Sequence, residues 1–225
     1  MKAFLKHNIV YIFFYLVILI LLANILLTIG KVQIHQCINV FVGHKFVDVF
    51  FKYITYLGDG LFAIGVVIWL LFRSVKSAIY VFGSYIFASL FTTLLKNIVF
   101  DGNWRPSFVF QWYVNEPLKL VEGVLINAGD NSLPSGHATS AFAVFFSLIF
   151  MSKNHLYKCI FFALAILAAF SRTYLSQHWL VDVYFGSIVG FCFALLFYVV
   201  FYRKSYSNYF DSSLQLLISN NKKRV

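Results

Sequence analysis

His178 and Asp182 stand four residues apart, and Arg172 precedes His178 with five residues between them. A second block, Pro134-Ser135-Gly136-His137, lies upstream. Both sit in or beside long apolar stretches, where charged and polar side chains are costly and mark function. Two imidazoles, a guanidinium and a carboxylate at such places point to chemistry on a phosphate.

Each group has a physical reading. At i and i+4 of a helix, His178 and Asp182 share a face and can touch. A carboxylate bonded to one imidazole nitrogen fixes the tautomer and leaves the other as nucleophile or base. The plainer alternative is a buried pair that staples a helix start. Pro134 to His137 reads as a helix entry, whose unpaired N–H groups and positive dipole end suit a phosphate oxygen. Gly136 permits close backbone approach, Ser135 adds a hydroxyl, and His137 can protonate a leaving oxygen. Arg105, Arg172 and Lys96 supply positive charge, the arginines with bidentate geometry. A zinc site from His137, His178 and Asp182 is conceivable, but the adjacent arginines disfavour a cation, so no metal and no cofactor is expected. His7, His35, His44 and His155 have no partners in sequence and read as loop or interface residues.

The elements that must hold these groups are membrane helices. The chain is 61% hydrophobic and 12% charged, about half the charge of an ordinary soluble domain. Its apolar runs are continuous rather than alternating, which excludes a barrel. The expected class is all-α and polytopic, with about six spans near 8–29, 55–72, 77–97, 135–151, 157–175 and 179–201. The N-terminal run is too long for a signal-peptide core and is read as a retained span. The three cysteines form no CxxC pattern, so neither a disulfide framework nor a thiolate metal site is expected.

Charge orients the spans. With the N-terminus inside, eleven of the eighteen Lys and Arg face the cytoplasm against one acid, Asp211. The outer side carries seven bases and seven acids. The formal charge of +10 is therefore a topology signal and calls for no nucleic-acid partner, although the basic tail can meet anionic lipid. The same orientation puts Lys96, Arg105, Ser135 to His137, Arg172, His178 and Asp182 at one membrane face, where they can converge.

Two outer segments exceed turns. Residues 30–54 read as an interfacial amphipathic helix, and 98–134 carry aromatics suited to headgroup anchoring. Small residues mark packing faces at Ala138, Ser140, Ala141 and Ala143, and at Ala163, Ala165, Ala168 and Ala169. The organisation expected is 1–54 as first span and outer segment, 55–201 as catalytic membrane domain, and 202–225 as basic cytoplasmic tail.

The blocks resemble the signature of the type 2 phosphatidic acid phosphatase (PAP2) superfamily: Lys-x6-Arg-Pro, Pro-Ser-Gly-His and Ser-Arg-x5-His-x3-Asp. The second and third match residue for residue, at Pro134 to His137 and at Ser171, Arg172, His178 and Asp182. The first departs, with eight residues between Lys96 and Arg105-Pro106 instead of six. The likeness covers about residues 55 to 201. It implies a six-helix, metal-independent phosphatase in which His178 attacks phosphorus to form a phosphohistidine. Asp182 would orient it and His137 protonate the leaving oxygen. The basic residues, with Ser135 and Gly136, would hold the phosphoryl oxygens.

The expected function is hydrolysis of a lipid phosphomonoester or diphosphate at the outer face of a bacterial inner membrane, both termini being cytoplasmic. The partners expected are the lipid phosphate substrate and membrane lipids. Two alternatives are phosphoryl transfer to another lipid or sugar, and a non-enzymatic lipid-binding or transport protein on the same scaffold. Candidate substrates are a polyprenyl diphosphate, phosphatidylglycerol phosphate, phosphatidic acid and lipid A.

Overall fold

A computed structural model of the chain describes residues 2–114 and 116–204. The described residues contain helices and no strand. In chain order the α-helices are α1 (Lys2–Thr28), α2 (Lys31–Asn39), α3 (Lys45–Ile54), α4 (Gly60–Leu71), α5 (Val75–Leu94), α6 (Pro106–Tyr113), α7 (Gly136–Met151), α8 (His155–Tyr174) and α9 (Leu180–Phe197). A 3-10 turn, Thr55–Gly58, joins α3 to α4, and π-turns at Leu95–Val99 and Tyr198–Tyr202 extend α5 and α9.

Short polar side chains start several of these helices, as orphan N–H groups require. Ser74 Oγ accepts from Ser77 N–H, Asp59 Oδ1 from Gly60 N–H, and Asn154 Oδ1 from Leu156 N–H. Pro106 opens α6 at its first turn, where its missing N–H costs nothing.

Among the described residues, four helices are long and apolar enough to cross a membrane: Phe4–Thr28, Val75–Val99, His155–Tyr174 and Leu180–Tyr202. Lys45–Gly58 with Gly60–Leu71 makes a fifth if that pair, bent by 58°, is one span. The protein is thus an integral membrane protein, and the expected count of six full spans is not confirmed among the described residues. The helix expected at 135–151 has only 16 residues, roughly 24 Å of rise against about 30 Å of hydrocarbon. Its setting explains the shortness: Ala138 to Phe150 are all buried, so protein rather than lipid surrounds it. The expected second span near 55–72 begins at the bend and continues as α4, while α3 before it faces Phe46, Val49, Phe50 and Tyr53 outward. The segment 30–54 is two helices, not one.

Glycine sets how α7 and α9 meet. A Cβ on Gly190 would stand 2.8 Å from Ala143 N, and one on Gly186 would stand 2.5 Å from Ser135 O. Gly186 and Gly190 form a G-x-x-x-G pair, which in lipid lets two backbones touch. The small face of α7 packs as expected, with Ala138, Ser140, Ala141 and Ala143 buried. On α8, Ala165, Ala168 and Ala169 are buried while Ala163 faces outward. At the opposite end, Lys158 donates to His7 O (2.7 Å) and Asn8 Oδ1 (2.6 Å), clipping α1 to α8. The tail expected over 202–225 lies, from residue 205 onward, outside the described residues.

Candidate active site

The close α7–α9 approach brings the two sequence blocks together. Ser135 N–H donates to Asp182 O at 2.9 Å, so the start of α7 is pinned to the first turn of α9. The turn between α8 and α9 is tied to Arg172: its carbonyl accepts from Gln177 N–H (2.9 Å) and His178 N–H (3.1 Å). That closure explains why five residues separate arginine from histidine. Ser176 takes the left-handed conformation needed for the reversal, at φ 55.

His178 is buried, with Nδ1 3.3 Å from Asp182 Oδ2. The same oxygen accepts from Trp179 N–H at 2.9 Å and from Ser132 O–H. Arg105 Nη1 lies 3.2 Å from His178 Nε2 and donates to Gln177 O at 2.8 Å. The contacts fix the tautomer: Nδ1–H faces the carboxylate and the Nε2 lone pair faces Arg105. Burial, then the charges of Arg105, Arg172, Lys96 and His137, hold the His178 pKa well below its usual 6.5. The ring is therefore neutral at pH 7. Burial also lowers Arg105, with Asp182 opposing.

Arg172 Nη1 donates to Thr55 Oγ1 at 2.9 Å. The Nε atoms of both Arg105 and Arg172 are buried without a hydrogen-bond partner. Buried donors are rarely left so, and two guanidinium edges of this kind beside one imidazole form a cradle for an anion.

His137 occupies the first turn of α7 within electrostatic range of Arg172, Asp59, Lys96 and Arg105. A Cβ on Gly58 would stand 2.7 Å from His137 O, so the α3–α4 bend presses on this turn. Gly136 faces open space, with nothing within 4 Å of an added Cβ. Ser135 Oγ accepts from Ala138 N–H at 3.4 Å as the helix cap. Lys96 lies on the π-turn and within electrostatic range of Arg105, Asp182, Arg172 and both histidines. A π-turn holds more residues than an α-turn, which takes up part of its longer spacing to Arg105. All eight expected site residues therefore gather in one place.

Three contributors escaped the sequence reading. Ser132 and Thr55 carry no motif. His35, read as a partnerless loop residue, is buried: Nε2 lies 3.1 Å from Ser176 Oγ and its ring packs on Trp179 at 5.3 Å. Burial lowers its pKa to about 4. Only the apolar positions around it, such as Ile34 and Ile38, hinted that this segment packs inward. Among the described residues, no cluster of three His, Cys, Asp or Glu could hold a metal ion.

An all-helical membrane bundle whose helix ends enclose histidines, arginines and a carboxylate defines a class of membrane protein built to handle a phosphate. A family model described as the PAP2 superfamily matches residues 77–206. The chain belongs to that superfamily and is a PAP2-type phosphatase. Two solved structures share its fold. LpxE of Aquifex aeolicus aligns with a TM-score of 0.62 and 23% identity, over 73% of this chain and 92% of that one. A transmembrane PAP2 type phosphatidylglycerolphosphate phosphatase from Bacillus subtilis aligns with a TM-score of 0.59 and 22% identity, over 85% and 94%. No curated protein matches by sequence.

Proposed function

We infer that the protein hydrolyses a phosphomonoester or diphosphate of a membrane lipid at the outer face, without metal and through a phosphohistidine. The observation that carries this reading is the pair of partnerless buried Nε atoms of Arg105 and Arg172 beside a neutral His178. In the first step His178 Nε2 attacks phosphorus. The N–P bond forms as the P–O bond to the lipid breaks, and His137 gives that oxygen the proton it has taken from a phosphate monoanion. Burial and the nearby cations hold the His137 pKa down to about 4, and the bound phosphate offsets those cations. Arg105, Arg172, Lys96, the Ser135 hydroxyl and the Gly136 N–H bind the phosphoryl oxygens as charge develops. Asp182 holds Nδ1–H throughout and stabilises the cationic ring. Water then attacks the phosphohistidine, giving up a proton to His137, and inorganic phosphate leaves.

The lipid substrate class rests on the site's position at the ends of membrane helices, at headgroup height, and on the fold shared with two membrane phosphatases. The outer location rests on the Lys and Arg asymmetry. On this reading 55–201 is the catalytic domain. The test is phosphate release by purified protein from a panel of lipid phosphates, comprising a polyprenyl diphosphate, phosphatidylglycerol phosphate, phosphatidic acid and lipid A. Release from none of them, by folded protein, refutes the reading. A cysteine at the exposed Leu125 is expected to label from outside the cell, and labelling only from the cytoplasm refutes the orientation.

A further inference from the structure

Ser132 lies two residues before the Pro134 block and is fully buried. Its hydroxyl donates to Asp182 Oδ2 and lies 3.4 Å from His178 Nδ1. One carboxylate oxygen thus meets the nucleophile's ring on one side and Ser132 on the other. The serine is itself anchored, since its N–H donates to Asn103 O at 2.9 Å. Nearby, Arg105 N–H donates to Gly129 O and Gln177 Nε2 to Leu125 O. The outer segment between α6 and α7 is therefore stitched to the turn bearing the nucleophile, and Ser132 is where it touches the charge behind that nucleophile.

We propose that Ser132 is a positioning residue for the reaction: it completes a Ser132–Asp182–His178 chain that aims Nε2 at phosphorus. This rests on the phosphohistidine reading above. The physical argument is geometric. A carboxylate with several lone pairs can rotate, and each donor fixed on one oxygen removes orientations in which Nδ1–H loses its acceptor. Trp179 N–H holds that oxygen from the helix start, and Ser132 holds it from the opposite segment. Outer-shell partners that orient a metal-bound histidine are worth about 10- to 100-fold in activity, and the same order applies to a histidine that must be aimed at phosphorus.

The test is Ser132→Ala in the full chain, in detergent or vesicles, against the lipid phosphate on which wild type is most active. The expected result is a kcat lower by about 10- to 100-fold with KM within about 2-fold. The acid limb of kcat/KM should also move to higher pH, because removing a donor from a carboxylate favours its protonated form. Ser107→Ala, which removes an exposed hydrogen bond to Asn127 O in the same segment, serves as the control for loop damage and should leave the pH profile unmoved. Should Ser132→Ala fail to accumulate folded, Ser132→Cys keeps the shape with a weaker donor and is read by the same profile. A folded Ser132 variant with wild-type kcat and an unshifted limb overturns the proposal. An inactive wild type would instead overturn the phosphatase reading on which it stands.

Discussion

Gly58→Ala tests the proton-donor role of His137 without touching the imidazole. A Cβ at this position would stand 2.7 Å from His137 O, 3.1 Å from His137 Cβ and 3.2 Å from its carbonyl carbon. Two of these atoms are backbone, so no flexible side chain can swing aside. Reaching ordinary contact requires a displacement of about 0.7 Å, of which roughly half an ångström falls on the first turn of α7 when the 3-10 turn yields the rest. A misplacement of about 1 Å at a reacting group can cost about 100-fold, so half that distance is worth roughly 10-fold, or about 1.4 kcal/mol of barrier. The loss should depend on the leaving group. A lipid alkoxide needs the proton from His137, whereas p-nitrophenolate departs without it. The assay compares kcat on a lipid phosphomonoester and on p-nitrophenyl phosphate for wild type and variant. The expected outcome is about a 10-fold loss on the lipid and a much smaller one on the aryl ester. Equal losses on both would refute the reasoning, because they would place the damage at phosphate binding or at His178. Full activity on both would show that the turn absorbs the methyl elsewhere.

His178→Ala should abolish phosphate release while the protein still inserts, and retained function in that variant would favour a lipid-binding role over catalysis. Activity should survive EDTA and be inhibited by vanadate, which can take the pentacoordinate geometry at His178; loss with EDTA that a divalent ion restores would end the metal-free mechanism. The His178 pKa lies well below 6.5, so the attacking nitrogen stays unprotonated as the medium is acidified through 6.5. The acid limb of kcat/KM should therefore fall below that value, and a limb above it that tracks His178 contradicts the neutral ring. For His35 the folded pKa is about 4 against 6.5 unfolded, so the unfolded chain takes up the proton first as pH falls. Its contribution to stability is intact above pH 6.5 and declines towards pH 4, by about 3 kcal/mol in all. His35→Phe should flatten thermal stability across that window, and an unchanged slope would refute the assignment.

The chemistry of this site was legible because charge is costly in an apolar chain. His137, Arg172, His178 and Asp182 stood out against their surroundings, and the Lys and Arg asymmetry put them at one face. The all-helical membrane class followed from hydropathy. What stayed hidden depends on backbone contacts made at a distance. Ser132 and Thr55 are ordinary loop hydroxyls until the packing of α9 and α8 brings Asp182 and Arg172 to them. His35 looked solitary because its partners, Ser176 and Trp179, lie about 140 residues away. The count of six spans is not confirmed where hydropathy is weakest as a guide. A helix enclosed by other helices, as α7 is, need not match the membrane's thickness.

The electrostatics of the cluster argue for what it binds. Lys96 and Arg105 lie near one carboxylate, Asp182, and Arg172 lies near another, Asp59. Asp182 spends its Oδ2 on Ser132, Trp179 and His178, not on a guanidinium. Arg105 donates to a carbonyl and an imidazole, and Arg172 to a hydroxyl. Neither arginine is neutralised by a carboxylate that it touches, and each keeps a buried Nε unspent. Taking such charges out of water is costly unless an opposite charge answers them. A fold that only needed a stable bundle would pair these guanidiniums or replace them with apolar residues. Leaving them unpaired means that a multiply charged tetrahedral anion gains most from entering, and gains more as negative charge accumulates on its equatorial oxygens. The same arrangement makes Arg105→Lys or Arg172→Lys a poor substitute, because a point charge offers no planar edge to two oxygens at once.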